Sequence, residues 1–223
     1  MEESIVVNPA SKAAQQQVDP VVSRAKFDRE LAIFKKVEEY NRQRGIILFD
    51  AEFPFMKLAF YAYRIKPLIL AFAVKLDFTN YDLEAPSLKF IDFLLEKELT
   101  RPELNMQLLR QQSIQPPGPQ AAGIINTSPL DLIQFHTPGL MPFVCIPGIR
   151  EYHEHPAHSN DPWLSHRRKG EGTLGFIIDQ LHKYGSEPLN GIMPNMANIQ
   201  QINPAGMMVQ FQGIVFSRDK IPL

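Results

Sequence analysis

The stretch FVCIPGIREYHEHPAHSNDPWLSHR, Phe143 to Arg167, gathers the residue types that reactions draw on. It holds the single cysteine of the chain, Cys145, with His153, His155, His158 and His166, and His136 stands nine residues before the cysteine. A thiol attacks as its thiolate, and neighbouring cations such as Arg150, His153 and His155 would lower its pKa from about 8.5. Histidine near neutral pH can also take the proton of an attacking amine. Zinc accepts thiolate, carboxylate and imidazole together, so Cys145, Glu151, His153 and either His155 or His158 could make a four-ligand shell. On an extended backbone Glu151, His153 and His155 would fall on one side. Either chemistry predicts that Cys145 shares one cleft with at least two of Glu151, His153, His155 and His158. The same letters also describe a solvated loop around a buried, inert cysteine. A metal-dependent hydrolase is disfavoured, because no second carboxylate–histidine motif with hydrolase spacing is present.

These residues need a scaffold, and its elements are legible on both sides. Phe27, Leu31, Phe34 and Val37 recur at helical spacing within Lys26–Arg44, and Gly45 follows as a stop. Four apolar, β-favouring runs come next, at 45–53, 56–65, 68–78 and 86–95. Their short connections predict an antiparallel meander rather than crossover units. Residues 96–128 break the pattern with a short helical stretch and a proline-rich loop. Pro142, Pro147 and Gly148 hold Cys145 on irregular backbone outside the sheet. A second helix is predicted at 171–184 from Leu174, Ile177, Ile178 and Leu181, with Gly185 at its end. The alternating run at 206–217 predicts a strand or a short hairpin. The expected organisation is therefore a flexible tail at 1–24, an α+β domain at 25–190, and an extension at 191–223 packed on it.

Composition narrows the class. The chain has 223 residues, 44% hydrophobic and 21% charged, with a net charge of −1. Such a balance gives no electrostatic footprint for nucleic acid. The longest apolar stretch, PLILAFAV at 67–74, is too short to span a bilayer. One cysteine excludes an internal disulfide, and with no signal-peptide pattern at the N-terminus the expected location is cytoplasmic.

The order helix, four-stranded meander, irregular segment with cysteine, helix resembles the ubiquitin-conjugating-enzyme fold. In LAFAVKLDFTNYDLEAPSLKFID (70–92), Phe78, Tyr81 and Pro86 stand where that family has an aromatic, a Tyr-Pro and a Pro-Pro turn. FHTPGLMPFVCI (135–146) resembles its His-Pro-Asn segment and active cysteine, and Trp163 matches a tryptophan that follows. The resemblance covers residues 26–185. Thr137 and Pro138 replace Pro-Asn, so the family's asparagine is missing, and the gap from cysteine to tryptophan is longer. The histidine-rich filler is similar to a bacterial family predicted to bind metal through a Cys, a Glu and two His, found beside ubiquitin-like conjugation genes. What the resemblance implies is a carrier. Cys145 would accept a ubiquitin-like protein as a thioester from a ubiquitin-activating-like enzyme and pass it to an amine of a protein target, with no cofactor. His153, His155 and Glu151 would shape the site and Asp161 would assist. The alternative it implies is a non-catalytic zinc module of the same fold, with Cys145, Glu151, His153 and His155 or His158 as ligands.

Overall fold

The structure is a computed structural model that describes residues 17–114, 126–135, 141–203, 206–219 and 221–222. Helix α1 (Pro20–Lys36) opens with Asp19, whose carboxylate accepts the Val21 N–H at 2.8 Å, and with proline at its first position. That is where proline fits a helix at no cost, since the first N–H groups have no helical partner. The helix thus begins six residues before the predicted Lys26, and residues 20–24, expected as tail, form its first turn. The segment before it is tied down as well: the Gln17 and Val18 N–H groups both donate to Asn80 Oδ1. The predicted single helix is broken at Val37, and α2 (Glu38–Gln43) follows. Gly45 turns the chain at φ +77, where an added Cβ would sit 2.7 Å from the Tyr61 carbonyl oxygen. Glycine alone meets both demands cheaply.

Strands β1 (Ile46–Glu52), β2 (Phe55–Ala62), β3 (Ile69–Asp77) and β4 (Ser87–Ile91) form the expected antiparallel meander, in the order β1-β2-β3-β4. The register pairs Met56 with Leu76, Leu58 with Val74 and Phe60 with Phe72, and then Val74 with Phe90 and Leu76 with Leu88. These side chains are buried on one face, where Phe60 stacks on Phe72 at 4.6 Å. Phe27 and Phe34 of α1 close over this face together with α5 (Leu174–Leu181), through Leu174, Ile177, Ile178 and Leu181. Each such side chain contributes about 1.5–3 kcal/mol when fully buried, so the two-layer core carries the fold. On the other face Lys57, Lys75 and Lys89 stand opposite one another across three strands. Like charges in register repel, and each lysine has an acidic partner: Asp50 and Glu96, Glu98, and Glu151.

The stretch predicted as a short helix contains strand β5 (Leu109–Ile114) instead, which pairs with β6 (Asn126–Asp131), and most of the predicted proline-rich loop, at 115–125, lies outside the described residues. A two-residue ladder, β7 (Ile133–Gln134) with β8 (Phe143–Val144), delivers Cys145 just outside the sheet. Helices α3 (Arg150–Glu154) and α4 (Trp163–Arg167) follow, with a 3₁₀ turn at Pro156–His158 between them. The second predicted helix is shorter than expected, because α5 gives way at His182–Ser186 to a π turn. The C-terminal extension is a hairpin of β9 (Leu189–Asn203) and β10 (Gly206–Arg218). Among the described residues no helix is long and apolar enough to cross a membrane.

Candidate active site

Cys145 is fixed by its backbone. Its N–H donates to the Leu132 carbonyl at 2.7 Å, and Leu132 N–H donates in turn to the Leu108 carbonyl at 2.8 Å. The thiol lies on the margin between the ladder and the helices, half-buried. Two glycines let the surrounding loops close. A Cβ on Gly148 would lie 1.9 Å from the Glu171 carbonyl oxygen, and one on Gly172 would lie 2.3 Å from the Trp163 ring. Arg150 pins the segment from the other side: its guanidinium donates to the carbonyls of Thr79, at 2.6 Å, and of Ala85, at 3.2 Å, and pairs with Glu84 at 3.5 Å. The cation expected to tune the thiol is therefore spent on the turn before β4.

The histidine-rich segment is helical where an extended run was expected, and this redistributes its side chains. Pro156 and Pro162 carry the reason. Proline favours the first position of a helix or the residue before it, so each marks the start of a new short turn rather than the continuation of a strand. Glu151 faces away from the thiol and is buried against β4, where it accepts from the Ser87 hydroxyl and the Leu88 N–H and pairs with Lys89 at 2.9 Å. His153 lies with Nδ1 2.9 Å from the Asp161 carbonyl and Nε2 2.7 Å from the Pro147 carbonyl. Both its ring nitrogens thus lie within hydrogen-bond distance of backbone carbonyls, and the ring staples the loop. His155 Nδ1 accepts the Ala157 N–H and starts the 3₁₀ turn; its ring lies 5.6 Å from that of His158. His158, expected in the cleft and as a zinc ligand but not among the catalytic residues, is the histidine at the cysteine: its Nε2 stands 3.3 Å from Cys145 Sγ. His136 lies outside the described residues.

The electrostatics describe a resting, uncharged pair. Burial pushes the Cys145 thiol above its ordinary pKa, and Arg110 on β5 opposes this by favouring the thiolate. Burial likewise lowers His158, assisted by the nearby rings of His155 and His153, with Asp161 pulling the other way. A protonated thiol beside a neutral imidazole can pass one proton across the hydrogen bond as the sulfur attacks.

Around this pair runs a polar network that was not anticipated. The His158 ring stacks on Tyr152, with centroids 3.8 Å apart and planes 19° from parallel. The Tyr152 hydroxyl donates to Asp161 Oδ2 at 2.6 Å, and Asp161 Oδ1 lies 2.5 Å from His166 Nε2. His166 Nδ1 bonds to Glu171 on its far side. Burial lowers the pKa of His166, but its two carboxylate partners outweigh burial and the net direction is upward. Neither Tyr152 nor Glu171 stands out in the sequence; once the segment is read as turns punctuated by Pro156 and Pro162, the carboxylates flanking His166 become candidates to hold it.

The side chains as placed do not fit a four-ligand zinc shell. Cys145 and His158 meet, but Glu151 is committed to β4 and both nitrogens of His153 face carbonyls. Among the described residues no three His, Cys, Asp or Glu side chains converge on a metal position.

Comparison with known proteins places the chain. Protein y4jH of Sinorhizobium fredii (strain NBRC 101917 / NGR234), itself uncharacterized, is 38% identical over 205 residues, covering 89% of this chain and 97% of that protein. The model of the Y4jH-like family matches residues 18–189, from the residue before Asp19, the cap of α1, to the first residue of β9. The meander, the cysteine ladder and the whole histidine network lie inside that span, and the chain belongs to the Y4jH-like family.

Proposed function

We propose that this protein is a ubiquitin-conjugating-enzyme-like carrier, which holds a ubiquitin-like protein as a thioester on Cys145 and transfers it to an amine of a protein target. The observation that supports it most is the half-buried Cys145 with His158 Nε2 at 3.3 Å, placed just beyond a four-stranded antiparallel meander. In loading, Cys145 gives its proton to His158 and the sulfur attacks the carbonyl carbon of the activating enzyme's thioester. The donor sulfur leaves as a thiolate and is reprotonated, so one thioester replaces another at nearly equal energy. In discharge, a lysine amine attacks the Cys145 thioester, and the Cys145 thiolate leaves and takes a proton back. The amine starts near pKa 10.4, so removing its proton is the harder demand, and His158 is the neutral base at hand. His153 and Glu151 hold the loop in shape, and His155 flanks the base. No cofactor is required in this reading; ATP is consumed by the activating enzyme.

The test is loading. Wild type incubated with ATP, its cognate activating enzyme and modifier should form an adduct that reductant or hydroxylamine removes. Cys145→Ala should form none, and Cys145→Ser should trap a longer-lived oxyester, because an alkoxide leaves less readily than a thiolate. Zinc that copurifies with wild type and is lost in Cys145→Ala, with no loading, would replace the carrier by the metal module.

A further inference from the structure

We propose that Tyr152 is the positioning residue of this site: its ring, anchored through its hydroxyl to the Asp161–His166–Glu171 chain, holds the His158 imidazole with Nε2 on the Cys145 sulfur. Three observations support it independently of the chemistry assigned to the thiol. A histidine on a one-turn 3₁₀ segment has little backbone to fix it, and His158 closes such a turn. The surface that fixes its plane is the Tyr152 ring, lying 3.8 Å away at 19°, a stacking contact rather than an edge contact. The Tyr152 ring is in turn held at its far end by the 2.6 Å hydrogen bond to Asp161, itself gripped by His166 at 2.5 Å, with Glu171 closing the chain. Burial and Asp161 both keep the phenol protonated, so it remains a donor.

The consequence for transfer is directional. An imidazole that turns about its Cβ–Cγ bond loses the line from Nε2 to Sγ within a few tens of degrees, because hydrogen bonds weaken steeply as they bend. Tyr152 removes that freedom without touching the sulfur. Its value to thioester transfer rests on the carrier function proposed above; its effect on the Cys145–His158 pair does not.

The two can therefore be tested apart. The probe is iodoacetamide, whose second-order rate with Cys145 is measured at pH 7.5 for wild type, Tyr152→Ala, Tyr152→Phe, His158→Ala and the double variant Tyr152→Ala/His158→Ala. General-base assistance is worth roughly 10²–10⁴-fold in favourable cases, so His158→Ala should slow alkylation at least about tenfold. Tyr152→Ala should by itself show most of that loss, and Tyr152→Phe, which keeps the ring but frees it from Asp161, should fall between wild type and Tyr152→Ala. The double variant should react no more slowly than His158→Ala alone, because a residue that acts through His158 has nothing left to position. A merely structural role would instead lower the melting temperature and slow the double variant further. Should Tyr152→Ala fail to fold, Tyr152→Phe, which preserves the ring volume, is measured in the same cycle with Tyr152→Phe/His158→Ala. Wild-type alkylation by Tyr152→Ala, or in that event by Tyr152→Phe, overturns the proposal, as does a loss that adds in full to that of His158→Ala. Failure of loading with these alkylation results intact would overturn the carrier reading and leave the positioning role standing.

Discussion

His166 offers a pH-dependent stability whose sign follows from its surroundings. Its side chain is 9% exposed and sits between Asp161 and Glu171, which are 39% and 21% exposed. Its folded pKa lies above the unfolded value near 6.5. A histidine raised in the folded state binds its proton more tightly there, so its stabilisation is complete below about pH 6.5 and is lost as pH climbs through the folded value. Hydrogen bonds to charged groups are worth about 1.5–3 kcal/mol when buried. Asp161 is more than a third exposed and its share is screened, which leaves roughly 1–2 kcal/mol for the clamp. Two other histidines act in the opposite sense and must be separated from it. His182 is buried on Ser186, and burial lowers its pKa to about 4. Its neutral ring costs stability as pH falls from about 6.5 towards 4, on the order of 3 kcal/mol in all. His158 is lowered as well and adds to that trend. The assay is therefore a difference: urea midpoints of wild type minus His166→Gln, taken every half unit from pH 5.5 to 9. The difference should be largest at the acid end and shrink as pH rises. A difference that stays flat, or grows towards alkaline pH, would refute the clamp, because the imidazolium between two carboxylates would then contribute nothing.

Two further substitutions probe the supports of the site. Arg110→Met should lower the ratio of iodoacetate to iodoacetamide rates at Cys145 several-fold, since Arg110 is the cation that opposes the burial shift of the thiol and attracts an anionic reagent. An unchanged ratio would remove Arg110 from the site. Glu151→Ala should cost about 3 kcal/mol in chemical denaturation, because it strips Ser87, Leu88 N–H and Lys89 of their buried acceptor. A loss below about 0.5 kcal/mol would show that β4 does not depend on it.

The scaffold was far more legible than the site. The apolar runs at 56–65 and 68–78 and their short connection predict neighbouring antiparallel strands, while the register that sets Met56, Leu58 and Phe60 opposite Leu76, Val74 and Phe72 is supplied by the structure. Helix ends were less clear: Asp19 and Pro20 signal the start of α1, but the apolar repeat begins only at Phe27. The strands β5 and β6 had no clear pattern, for LRQQSI and NTSPLD carry few apolar residues and pair mainly through backbone. At the cysteine the letters showed the inventory and not the partners. Whether Glu151, His153 or His158 reaches Sγ depends on a single turn of helix, since a strand alternates side chains every two residues and a helix spreads them at 100° intervals. Reading EYHEHPAH as extended put Glu151, His153 and His155 on one side; one turn of α3 sends Glu151 to β4, and the proline-started 3₁₀ turn brings His158 to the thiol. Tyr152 had no marker, and Glu171 had only its nearness to His166, because a stack and a clamp depend on tertiary placement.

The carrier function rests on an acyl bond at one sulfur, and intact-mass measurement of the loaded protein under non-reducing conditions tests that most directly. After incubation with ATP, activating enzyme and modifier, the account predicts a species heavier by the modifier less one water. Peptide mapping should place it on the Cys145 peptide, hydroxylamine should return the original mass, and Cys145→Ala should show no such species. A wild type that stays at its own mass while its activating enzyme is charged, or an adduct that survives Cys145→Ala, would contradict the account.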